Sequence, residues 1–143
     1  MDAFQKLKKF ADVCEEVAAA RGIPICVTVL DAHNNPVLLH RMPGSGIITL
    51  EMAERKAYTS VALGCETYAL KAGIQPGQPL YSLTTSSSRL IAFGGGTCVR
   101  FGSEVFGIGI SGGPTEVEDM EILRDARIKF GDGEWAPDSM GTD

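Results

Sequence analysis

The sequence predicts an α+β domain, a mainly antiparallel sheet flanked by helices in the order α-β-β-α-α-β-β-β-α. Three observations carry this. β-rich runs come in pairs across tight polar turns: ICVTVL and VLLHRM flank DAHNNP, and TCVRF and EVFGIGIS flank Gly102-Ser103. Three other stretches repeat apolar or small residues at helical spacing. The composition of this 143-residue chain, 44% apolar and 22% charged, suits one well-filled core.

In chain order, residues 2–21 form an amphipathic helix whose apolar face is Phe4, Leu7, Ala11, Cys14 and Ala18, with Asp2 as N-cap and Gly22 as stop. Ile23 to Leu30 is a strand, Asp31 to Pro36 a turn, and Val37 to Met42 the return strand. Pro43-Gly-Ser-Gly46 breaks the chain before a helix from Thr49 to Leu63, and Cys65 to Ala72 is a shorter helical piece. Gln75-Pro-Gly-Gln-Pro79 excludes regular structure. Arg89 to Phe93, Thr97 to Phe101 and Glu104 to Ser111 read as three strands. Thr115-Glu-Val-Glu118 is a capping box that opens a helix to about Phe130. Residues 1–130 make a single domain, and the Gly-, Pro- and Asp-rich residues 131–143 a C-terminal tail expected to be loop or disorder, pinned by Trp135.

Net charge is −5, from 13 basic and 18 acidic side chains, which argues against a nucleic-acid partner. No apolar run is long enough to span a bilayer, and the start MDAFQKLKKF lacks the apolar centre of a signal peptide. None of the four cysteines (Cys14, Cys26, Cys65, Cys98) forms a CxxC pair, so they are expected to be reduced, mostly buried thiols of a cytoplasmic protein.

More than half of the 17 glycines lie between Gln75 and Gly113. Gly94-Gly95-Gly96, between two strand-like runs, is expected to be a bare-backbone loop with exposed N–H groups: either an anion-binding nest or a bulge that re-aims the sheet edge. Gly107-Ile-Gly-Ile-Ser-Gly112 matches G-x-G-x-x-G, but its glycines sit inside a strand and no βαβ unit follows, so their smallness points to a helix lying close against that strand. His40-Arg41-Met42 ends a strand, with His40 and Met42 on one face and Arg41 on the other. His and Met both serve as axial ligands of haem iron, and His40 is the candidate metal ligand; His33, in the turn, reads as solvated. Lys56 shares a helix stripe with Ala53, Ala57 and Ser60, from which a long cation can reach an anionic ligand group or a carboxylate. The acids Glu116, Glu118, Asp119 and Glu121 complement the N-terminus of the last helix and need no catalytic role.

With these segments in place, the chain resembles the GlcG/HbpS family, including the C-terminal domain of PduO-type proteins. The resemblance rests on VTVLDAHNNPVLLHRM, AERKAYTSVAL, QPGQPLY, and FGGG followed by FGIGISGG and an acidic helix, together covering about residues 3–130. The chain departs from the family pattern at His33-Asn34-Asn35, at Pro43-Gly44 and at Thr97-Cys98. The resemblance implies a sheet flanked by helices, homo-oligomers, a haem or corrinoid ligand in some members, and a connection to glycolate or to diol and glycerol use. The first helix contains no His; Cys14 is its one cysteine.

The leading expectation is a binding module for haem or a corrinoid beside the glycine loop. Lys56 and Arg41 would meet the ligand's polar edge, His40 or Met42 would approach its metal, and Gly94, Gly95 and Gly96 would line the groove. An enzyme working on a small oxygenated metabolite through Lys56, and a structural subunit of an assembly, are the alternatives.

Overall fold

A computed structural model describes residues 1–140. The first helix, α1 (Ala3–Ala20), opens on a capping box: Gln5 N donates to Asp2 Oδ1 at 2.8 Å, and Asp2 N donates to Gln5 Oε1 at 2.9 Å. Strands β1 (Cys26–Asp31) and β2 (Pro36–Arg41) form the expected hairpin. Its turn is set by Asp31, whose carboxylate accepts from His33 N at 2.8 Å and Asn35 N at 2.9 Å, while Asn34 takes a left-handed φ of 66°. Helix α2 (Ile48–Leu63) follows, then a 3₁₀ turn (Thr67–Leu70) where the second helical piece was expected, and a one-turn helix α3 (Leu83–Ser86). Strands β3 (Gly96–Phe101) and β4 (Glu104–Ser111) form a second hairpin. Helix α4 (Glu116–Phe130) starts at the predicted capping box, with Val117 N donating to Thr115 Oγ1 and Thr115 N to Glu118 Oε2.

The strands join in one antiparallel sheet of order β2-β1-β4-β3-β5, where β5 is Glu134–Trp135. Alternation along β4 divides the molecule into layers. Phe106, Ile108 and Ile110 enter a core with Leu7 and Phe10 of α1, Val27 and Val29 of β1, and Ile122 and Leu123 of α4. Gly107 and Gly109 face the opposite side, where α2 lies so close that a Cβ on Gly109 would sit 1.9 Å from Ala53 O and one on Gly107 2.1 Å from Ala57 O. The glycines of the G-x-G-x-x-G stretch thus serve helix packing.

Two segments differ from the sequence reading. Arg89 to Phe93 is not a strand. Leu90, Ile91 and Ala92 are buried, but the backbone is held by side chains: Ile91 N donates to Thr59 Oγ1 at 3.0 Å, and Arg55 Nη2 to Leu90 O at 3.3 Å. An apolar run signals burial, and here the hydrogen-bond partner is a helix surface rather than a strand. The final strand comes instead from Glu134–Trp135, which pairs with Val99 and Arg100. Trp135 stacks on Phe10 at 4.8 Å, and Glu66 ties this segment down, accepting from Ser139 N at 2.7 Å and from Arg127 Nη1 at 2.8 Å.

Candidate functional site

Lys56 is carried on the small-residue face of α2 and is only 2% exposed. Its Nζ donates to Ile110 O, near the end of β4, at 2.8 Å and to Asp119 Oδ2, in the first turn of α4, at 3.0 Å. The other oxygen of Asp119 accepts from Gly113 N at 2.8 Å. One ammonium therefore ties α2, β4 and α4 together. Burial pushes the Lys56 ammonium down and the Asp119 carboxyl up, each opposed by its partner's charge, because desolvation penalises both charged forms. Of Lys56's three N–H donors, the third has no protein partner among the described residues.

The pair floors a cleft of about 450 Å³. Ile48, Met52, Phe93 and Pro114 supply its apolar walls, and Ser111, Thr115 and Glu116 its polar side. Glu116 pairs with Lys71 through Oε2, while its Oε1 is buried without a hydrogen-bond partner. The size and the mix of walls match a small-molecule site.

The triple glycine lies behind this cleft, buried rather than exposed. It is not an exposed loop: Gly96 N donates to Thr67 Oγ1 at 3.0 Å, and Gly94 is pressed on Met120. Gly95, at φ 118°, sits where a Cβ would be 2.9 Å from Lys56 Nζ and 2.7 Å from Ile110 O. Only a bare backbone lets the ion pair close at that spot.

Lys56 and Gly95 are thus brought together. Arg41 shares their side of the sheet, since Cys26 pairs with both Arg41 and Ser111, but its Nη2 donates to Ser45 O at 2.6 Å. His40 and Met42 lie on the other side. His40 pairs with Val27, and its Nδ1 meets Glu15 Oε1 of α1 at 2.7 Å. Asp12 adds a carboxylate there, the three ligand atoms lying within 4.8 Å of one another. Met42 packs against the core, its sulfur accepting from Ile25 N at 3.4 Å. Cys14 is fully buried, and burial raises its thiol pKa well above the ordinary value. Sequence reasoning missed Asp119, hidden among the acids that suit a helix N-terminus, and Met52, which resembles any helix methionine.

A model of the family described as haem degrading protein, HbpS-like, matches residues 4–127. The corrinoid adenosyltransferase PduO of Salmonella typhimurium is 35% identical over 87% of this chain, which spans 37% of that protein's length. An uncharacterised 15.0 kDa protein from the dhaT-dhaS intergenic region of Citrobacter freundii is 34% identical over 79% of this chain and 81% of its own. Among solved structures, a PduOC complex with haem superposes with a TM-score of 0.86 at 33% identity, covering 95% of this chain and 99% of that one. A double mutant of Streptomyces reticuli HbpS gives 0.80 at 26% identity, covering 92% and 88%. No helix among the described residues is long and apolar enough to cross a membrane.

Proposed function

The chain belongs to the HbpS-like family, and from that premise we propose that it is a haem-binding module with His40 as the iron ligand. The observation that carries this reading is the 2.7 Å contact between His40 Nδ1 and Glu15 Oε1. With the proton on Nδ1, Nε2 keeps its lone pair, and the carboxylate fixes the ring orientation, the support that ligating imidazoles commonly have. His40 is 35% exposed and sits on an edge strand, so a planar ligand can approach it without opening the core. Met42 is excluded as a partner by its place in the core, and Arg41 by its place on the opposite face of the sheet, where its Nη2 donates to Ser45 O. Bound there, haem would supply an iron centre, and the His40 imidazole would hold it.

A corrinoid is the second reading, favoured by the 35% identity to PduO. Assembly into a homo-oligomer, a cytoplasmic setting and a link to glycolate or diol and glycerol metabolism belong to the same proposal; the four free cysteines support a reducing compartment.

The test is titration of the purified protein with haemin and, separately, cobalamin, followed in the visible spectrum. A saturable Soret band at one haem per chain that is lost in His40→Ala is the expected result. No saturable haem signal overturns the haem reading, and a signal unchanged in His40→Ala overturns the role of His40.

A further inference from the structure

The cleft beside Lys56 lies across the sheet from His40 and takes no part in the haem reading. We propose that it is a capture site for a small hydroxylated carbonyl compound, which condenses with the Lys56 amine to an imine.

Three features of the site point to that class. The first is Lys56 itself, a nucleophile inside a cleft of about 450 Å³, with its side chain 3% exposed and one N–H unused. The second is the nearby Glu116 Oε1, a buried acceptor that lacks a donor and whose charge acts on Lys56. A ligand offering one carbonyl oxygen and one hydroxyl satisfies both groups. The third is the neutrality of the floor: Asp119 already balances Lys56, and Lys71 balances Glu116, so an anionic ligand would bring a charge that the site does not compensate. Ile48, Met52 and Phe93 bound the space left for the carbon chain.

The chemistry balances without a further reagent. Asp119 Oδ2, 3.0 Å from Nζ, accepts a proton and leaves a neutral amine. The Nζ lone pair attacks the carbonyl carbon, the C–N bond forms, and the C=O π pair moves to oxygen, which takes the proton back from Asp119. One of the two protons still on the nitrogen then passes to that hydroxyl, the lone pair it frees forms C=N, and water departs, leaving a protonated imine whose charge the Asp119 carboxylate balances. Burial lowers the cost of freeing the amine, since it disfavours both charged partners.

The test uses the whole folded protein, with glycolaldehyde as probe and cyanoborohydride to reduce any imine, and maps modified lysines by mass spectrometry. Exposed Lys129 is the internal control. The expected result is labelling of Lys56 at least ~10-fold faster than Lys129 at neutral pH, with propionaldehyde, which lacks the hydroxyl, slower at Lys56 alone. Labelling of Lys56 no faster than Lys129 overturns the capture site; equal rates with the two aldehydes at Lys56 overturn the hydroxyl contact to Glu116. Neither outcome depends on haem, so the two proposals fail separately.

Discussion

The two faces of the sheet solve opposite packing problems. On the α1/α4 side, large residues from every layer interlock: Val27, Val29, Val99, Ile108 and Ile110 meet Leu7, Phe10 and Ile122. On the α2 side, Gly96, Gly107 and Gly109 meet Ala53, Ala57 and Ser60, so the helix backbone nearly touches the strand backbone. The first face gains its stability from apolar area removed from water. The second gains close approach, and that approach brings a buried lysine on α2 within reach of the end of β4 and of α4. Polar chemistry can be enclosed only where little apolar bulk competes for the space.

The largest test of this contrast removes the charge that the α2 side encloses. Lys56→Ala leaves Asp119 buried without its cation and is expected to cost about 3–5 kcal/mol in denaturant unfolding. Lys56→Met with Asp119→Leu should recover most of the loss. A single-mutant cost under about 1 kcal/mol would show that the pair does not join α2 to α4.

The next test adds one methyl group to the close face and removes one from the bulky face. Gly109→Ala places a Cβ against the Ala53 carbonyl of a helix that cannot give way locally, and about 3 kcal/mol is expected. Ile108→Val, one residue earlier and facing the core, should cost about 1 kcal/mol. If the order reverses, α2 slides on the sheet and the close contact is not a constraint.

How much of this was readable beforehand follows the same division. The bulky face is written in alternation, and the capping box at Thr115–Glu118 in a local motif, so both were legible. The role of Gly107 and Gly109 was legible as well, because glycine weakens a strand interior and is kept there where another backbone must come close. The burial of Gly94–Gly96 was not, since a glycine run looks the same whether its backbone faces water or a neighbouring helix. Lys56 stood out by its small neighbours, but Asp119 did not: an acid in a first turn already has a local reason to be there. Arg89–Phe93 and Glu134–Trp135 were exchanged as strands because pairing depends on a partner brought from far along the chain, and a two-residue strand has no period to detect.

The smallest expected effect lies away from both faces, in the β1–β2 turn, where a purely local device can be separated from packing. The Asn35 N–H, joined by that of His33, holds the Asp31 carboxyl below its ordinary value of 3.8. Its folded pKa is depressed, so its contribution is present above the unfolded value and is lost as pH falls through the folded one. Asp31→Ala should therefore cost about 0.5 kcal/mol at neutral pH, the low end for a lost side-chain cap. The gap from the unmutated protein should stay level down to about pH 5 and shrink as pH falls below 3.8. Paired urea titrations across that range measure it. A gap that stays level to the lowest pH would mean that Asp31 shapes the turn by its conformation alone, because the carboxylate's charge would then add nothing to the three hydrogen bonds it accepts, from His33 N, Asn35 N and Asn35 Nδ2.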